Sequence, residues 1–209
     1  KGVLMDGDQR IVASESAALE VSRPHPGWSE QDPESWWTAV EAVVDGLKAE
    51  AASALAAVRG IGLSGQMHGA TLLDAADRVL RPCILWNDGR SAAEAEEMSA
   101  ASERVTGNIA MPGFTAPKLL WVKHHEPGVF AEVKTVLLPK DYVRLRLTGT
   151  KASEMSDSAG TLWLDTGKRA WSDEMLALTD LDRSAMPELF EGSAPTGALR
   201  PELARRWGM

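Results

Sequence analysis

The stretch Ile61–Asp74, IGLSGQMHGATLLD, governs how the rest of the chain is read. Two apolar segments flank Gly65-Gln66-Met67-His68-Gly69. Ile61 and Leu63 predict a buried strand before the loop, and ATLLD predicts another after it. A tight turn between strands needs no bulky side chains. Here three chemically different ones stand between glycines, which let the backbone turn sharply and leave its amides accessible. Gln66 supplies donors and acceptors, and neutral His68 supplies one of each. Such a loop can hold several hydroxyls of a small polyol. It can equally be a structural turn, with His68 capping it and Met67 packed beneath. The residues alone leave both readings open.

Outward from this loop, strands and helices mingle. Val3–Met5, a turn around Asp6-Gly7-Asp8, and the run from Ile11 predict a hairpin. Asp32 is placed to cap a helix, Pro33 suits its first position, and Glu34 favours its positive end. Trp36, Trp37, Val40, Val43, Val44 and Leu47 then recur at helical spacing. The tryptophan pair could form a carbohydrate platform, but core anchoring is the simpler reading. RPCILWNDGRSAAEAEEMSA predicts a strand running into a helix that starts near Asp88 or Ser91. GFTAPKLLWVKHHEPG predicts a helix over Lys118–His125, stopped by Pro127-Gly128. KTVLLPKDYVRLRLTGT predicts strand, turn and helix, ending at Gly149. EMSDSAGTLWLD reads as strand-rich, Ser172 caps a further helix, and the tail carries a last short one that halts at Gly208. The pattern predicts one α/β lobe with mixed strand directions and helices packed on the sheet.

Composition sets limits. A chain of 209 residues can bury one large core. Its net charge of −8 disfavours nucleic acid as the main partner, since phosphate contacts want clustered Lys and Arg. No apolar run approaches the roughly 20 residues that span a bilayer, so no membrane partner is expected. The single cysteine, Cys83, sits in the apolar run CILW and reads as a small buried hydrophobe, which fits a reducing cytoplasm. The opening KGVLMDGDQR has no signal-peptide pattern and enters strand-like sequence at once, without a methionine. It reads as the middle of something longer.

Other loops carry candidate chemistry. LWNDGRS, Leu85–Ser91, lies at a predicted strand end before a helix, where ligands bind in helix-flanked sheets. Trp86 could offer an apolar face to a sugar, while Arg90 pairing with Asp88 reads first as a brace. Asp157 in EMSDSAGT and Asp141 in LPKDYVRL could act as bases, but local bonding to nearby amides is the simpler role. A single histidine in the loop, with no second ligand at metal spacing, argues against a metal there. No G-x-x-x-x-G-K-[ST], G-x-G-x-x-G or G-x-S-x-G motif occurs.

The segments GWSEQDPESWW, GLSGQMHGATLLDA, RVLRPCILWNDGR, GNIAMPGFTAPKLLWVKHHEP, VLLPKDYVRLRLTG and MSDSAGTLWLD, in this order, closely resemble the FGGY carbohydrate kinase family. The resemblance runs from Lys1 to Met209. It implies an α/β, ribonuclease-H-like (actin-like ATPase) lobe with a mixed sheet and helices on both faces. It further implies transfer of the γ-phosphoryl of ATP, with Mg²⁺, to the terminal hydroxyl of D-xylulose. Met67 and His68 carry over as sugar contacts, with Gln66 and Trp86 as neighbours in the pocket wall. The family's phosphate-handling Asp-x-Gly-Thr strand and its Gly-Gly-Gly-Asp-Asn-Ala base segment have no counterpart in these residues. The chain is therefore expected to be an incomplete N-terminal lobe, poorly soluble alone, with the catalytic base beyond Met209. A homodimer is compatible with the resemblance. The alternatives are a kinase for another pentulose or polyol, and a non-catalytic sugar-binding module.

Overall fold

The computed structural model describes all residues from Lys1 to Met209. Strand β1 (Gly2–Met5) and strand β2 (Ile11–Glu15) form the expected antiparallel hairpin, with a register shift between Leu4 and Met5. Asp6 closes its turn by accepting the Asp8 and Arg10 amides at 2.9 and 3.0 Å. Strand β3 (Glu30–Gln31) leads into helix α1 (Pro33–Ala56). The Asp32 carboxylate accepts the Glu34 amide at 3.0 Å, the bond the sequence anticipates for a cap. Both Trp36 and Trp37 are buried, which settles their anchoring role.

The centre of the lobe is built from short strands. Strand β4 (Thr71–Leu73), strand β5 (Cys83–Ile84) and strand β6 (Thr135–Leu137) are all buried. β4 pairs antiparallel with β6, matching Leu72 to Val136, and β3 pairs antiparallel with β5. An isolated bridge between Ala70 and Ile84 joins these two ladders into one ribbon. Successive residues of a strand point to opposite faces. Leu72, Val136 and Ile84 accordingly join one core with Met98 of helix α2 (Ala92–Thr106) and Leu119 of helix α3 (Thr115–His125). Leu73, Leu137 and Cys83 join another core with Trp36 of α1 and with Tyr142 and Leu145, further along the chain. Helices thus cover both faces of the ribbon, as expected.

The remaining elements complete the wall around this centre. Helix α4 (Pro127–Glu132) precedes β6, and helix α5 (Pro139–Thr148) follows it and carries Tyr142 and Leu145. Gly149 ends α5 with φ 81°, a conformation that favours glycine. Strand β7 (Ala152–Glu154) runs into helix α6 (Met155–Ala159), then the hairpin of strand β8 (Leu164–Asp165) and strand β9 (Ala170–Trp171). Helix α7 (Asp173–Ala177) is capped by the Ser172 hydroxyl, as expected. Strand β10 (Glu188–Phe190) pairs in parallel with β7, and helix α8 (Pro201–Trp207) closes the hairpin–α1 core with Trp207. Four antiparallel pairs and one parallel pair make the strand directions mixed.

Three local expectations need correction. Gly60–Gly65 is not a buried strand: it forms no ladder, and Ile61 is 50% exposed. Two apolar residues among three glycines give too little side-chain packing to hold a strand. Pro127-Gly128 does not merely stop α3; Pro127 starts α4, since its missing amide is no loss in a first turn. The EMSDSAGT segment holds a helix, because the Glu154 carboxylate accepts the Ser156 and Asp157 amides at 2.7 and 2.9 Å.

Leu72 is 1% exposed and sits where the ribbon meets α2 and α3. Leu72→Ala is expected to cost about 2–5 kcal/mol in a urea titration, the range of buried leucine truncations. A loss below about 1 kcal/mol would contradict this placement.

Candidate functional site

The Ala70–Ile84 bridge fixes the site's location. Its hydrogen bond, Ala70 N to Ile84 O at 3.2 Å, sets an antiparallel register. Continued outward, that register carries the chain toward His68 on one side and Trp86 on the other, at the same end of the ribbon. The segment Gly113-Phe114 closes the gap between them. The Gly113 backbone lies so near Trp86 that a Cβ there would stand 2.8 Å from its carbonyl oxygen. The Phe114 ring meets the His68 imidazole edge to face, with centroids 4.7 Å apart.

His68 is unusual in its backbone. Its φ is 65°, and the Gly69 amide donates to the Met67 carbonyl at 2.8 Å across it. That is a γ-turn of the positive-φ kind, rare and strained for a residue with a side chain. Its imidazole is half-buried. It lies against Gly160, where a Cβ would stand 2.2 Å from His68 Cε1 and 2.6 Å from Nδ1. The buried Nδ1 lies against Gly160, whose backbone is near enough to favour a proton on the ring, although no well-aligned hydrogen bond forms there. Burial, and then the charge of Lys118, pushes the imidazole down to about 4. At neutral pH it is uncharged, with one donor and one acceptor to offer.

The other anticipated residues divide between contact and support. Met67 and Trp86 are 44% and 50% exposed, so their apolar faces are open at this end of the ribbon. The Gln66 amide is committed inward: its Nε2 donates to Gln31 Oε1 at 2.8 Å, the oxygen that also accepts Trp36 Nε1 at 3.0 Å. Gln66 therefore ties the loop to Gln31 of β3, which Trp36 of α1 also holds. Arg90 is a brace, as its pairing suggests. Its buried side chain bonds Asp88 at 2.9 and 2.7 Å, pairs with Glu30 at 2.7 Å and lies 3.6 Å over the Trp28 ring. Asp141 accepts from Ser153 at 2.6 Å and pairs with Lys140 and Arg144 at 3.0 and 2.5 Å. Asp157 pairs with Lys140 at 2.8 Å. Both carboxylates are thus engaged in holding neighbouring cations.

Sequence reasoning passed over Phe114, Gly160 and Lys118. Lys118 lies within Thr115–Val122, every residue of which is buried. Cys83 is buried as anticipated, and burial pushes its thiol up to about 12, so it is not a nucleophile. No group of three His, Cys, Asp or Glu side chains could hold a metal ion. A groove of about 610 Å³ lies away from this site, between α2 and the β8–β9 hairpin. Its charges are spent on one another, in the pairs Arg104–Glu174, Lys168–Asp165 and Arg183–Asp173. No helix is long and apolar enough to cross a membrane.

The chemistry at this end of the ribbon is a neutral imidazole in a glycine-flanked turn, with Met67 and Trp86 exposed. Comparison with known proteins gives that chemistry a family: the chain belongs to the FGGY family of carbohydrate kinases, whose N-terminal domain matches residues 1–209. Within the family its similarity is to xylulose kinases. It is 59% identical over 212 residues to the xylulose kinase of Klebsiella pneumoniae and 57% identical over 212 residues to that of Escherichia coli strain K12. Each alignment takes in 100% of this chain, but 44% and 43% of those proteins. A crystal structure described as a xyloylose kinase from Brucella ovis matches with TM-score 0.98 and 58% identity, over 99% of this chain and 43% of that one. The chain spans less than half the length of these relatives. Its fold is the ribonuclease-H-like, actin-like lobe of sugar kinases.

The histidine makes a prediction about pH. Its ordinary value is 6.5 and its folded value is about 4, so folding favours the neutral ring. The stability this contributes is present above pH 6.5 and is lost as pH falls from there through 4. The His68 ring resonances in NMR are expected to titrate with a midpoint near 4. A midpoint near 6.5 would show an imidazole standing free in water.

Proposed function

We propose that this chain supplies the sugar-binding lobe of a kinase that phosphorylates D-xylulose to D-xylulose 5-phosphate, with ATP as donor. The observation that carries the reading is His68: a neutral imidazole, half-buried, held in a strained turn at the end of the ribbon where Met67 and Trp86 are exposed. Strain of this kind persists where the surroundings over-determine it, commonly at ligand sites. The xylulose kinases of K. pneumoniae and E. coli support the choice of sugar.

In this reading the neutral imidazole hydrogen-bonds a ketose hydroxyl, accepting or donating without the cost of desolvating a charge. Met67 and Trp86 flank the sugar with apolar surface, and Gln66 keeps the loop attached to β3. Orientation is the lobe's main contribution, because phosphoryl transfer depends on positioning and on stabilising charge at the phosphate. The terminal hydroxyl oxygen bonds to the γ-phosphorus, the bond from that phosphorus to the ADP oxygen breaks, and the hydroxyl proton passes to a base. Asp141 and Asp157 are engaged in ion pairs, and neither is assigned as that base. The base is assigned outside residues 1–209, in an enzyme of which this lobe is one part. Mg²⁺ is proposed to accompany ATP, and these residues provide no ligand set for it. The proposed compartment is the cytoplasm.

His68→Ala in the native-length protein tests the reading. It is expected to weaken D-xylulose use by about 1–3 kcal/mol, the scale of a lost polar contact, while the KM for ATP and the thermal midpoint stay close to wild type. Full retention of sugar affinity, or unfolding with no specific effect on the sugar, would overturn it. A panel of other pentuloses and polyols in the same assay identifies the preferred substrate.

A further inference from the structure

The first turn of α3 reaches across to the sugar loop. Thr115 Oγ1 donates to the His68 carbonyl at 3.1 Å, and Lys118 Nζ donates to the same oxygen at 3.2 Å. Lys118 also donates to Phe114 O at 2.9 Å and to Gly113 O. An ammonium has three donors and no acceptor, and here each donor meets a backbone carbonyl. Those carbonyls belong to the two sides of the site: His68 on one, and Gly113 and Phe114, whose ring touches the His68 imidazole, on the other.

We propose that Lys118 and Thr115 are positioning residues, which hold the His68 carbonyl and thereby lock the strained turn that aims its imidazole. The proposal rests on the sugar-site reading of His68 and assigns what keeps that site in shape. A positive φ at a residue with a Cβ reverts unless its neighbours prevent it. The Gly69–Met67 bond alone is a weak restraint, since the same i to i+2 contact can form around a residue of negative φ. What singles out this turn is the carbonyl of His68, seized by two donors from one helix. Lys118 is fully buried. A methionine or leucine would fill its space without the desolvation penalty of an amine. Burial pushes its ammonium down to about 7, a penalty of the same origin. The feature a lysine adds at this place is its set of donors.

The test uses Lys118→Met and Thr115→Val in the native-length protein. The crystal structure of Lys118→Met is expected to show His68 outside the positive-φ region and the Gly69–Met67 bond opened. Its KM for D-xylulose is expected to rise about tenfold to a hundredfold, as for a misplaced contact group, with the KM for ATP unchanged. Persistence of the His68 turn without the ammonium overturns the proposal. Should Lys118→Met not fold, Thr115→Val decides, since it removes one of the two donors and keeps the side-chain shape. The expected result is a shifted His68 backbone with a raised sugar KM, and an unaltered backbone overturns the proposal. His68→Ala separates the two claims. If that variant binds sugar normally, the sugar reading fails, while the backbone of the α3 variants still decides whether Lys118 and Thr115 hold the turn.

Discussion

Burial of both faces of the β4–β6 ladder is the constraint from which the site follows. Leu72 and Val136 face α2 and α3, while Leu73 and Leu137 face α1 and α5. A slip of one residue would exchange the two sets and set leucines against pockets shaped for other side chains. The register is therefore fixed, and with it the point at which the chain leaves β4 toward Gly69. The bridge from Ala70 to Ile84 extends the same order to β5. The loop and the Trp86 segment consequently emerge together at one end of a ribbon that cannot shift.

On that rigid base the site is assembled by polar groups that would be costly alone. Lys118 is buried among carbonyls, Arg90 among Asp88, Glu30 and indole rings, and Lys140 among three carboxylates. Arg90 and Lys140 are compensated charges, Lys118 is held by carbonyl dipoles alone, and each cluster ties together segments distant in sequence. His68 differs because its ring is neutral. The surroundings are locked by ion pairs and hydrogen bonds, and the neutral imidazole is the group proposed to meet the sugar. Gly160 adds a steric term: any side chain there would take the place of the imidazole.

Much of this was legible in the sequence, for local reasons. The Asp6 turn, the Asp32 cap, the Ser172 cap and the Gly149 stop all depend on residues within a few positions of one another. Mixed strand directions with helices packed on the sheet followed from elements that mingle along the chain, and helices on both faces from the family resemblance. The failures were of two kinds. Gly60–Gly65 showed the apolar alternation of a strand but has no ladder partner, and pairing is not a local property. EMSDSAGT showed strand-like neighbours while its own carboxylate and hydroxyls favour a helical turn. Within the site, Met67, His68 and Trp86 stood out by residue type and position. Lys118, Phe114 and Gly160 did not, because their part depends on contacts with His68 across 46 to 92 positions of sequence, visible only once the helices are packed.

The most direct measurement is a crystal structure of the native-length protein with D-xylulose bound. The account predicts a sugar hydroxyl about 3 Å from a nitrogen of the His68 imidazole, with Met67 and Trp86 beside the carbon chain. A ketose seated elsewhere, with that imidazole touching only protein, would contradict it.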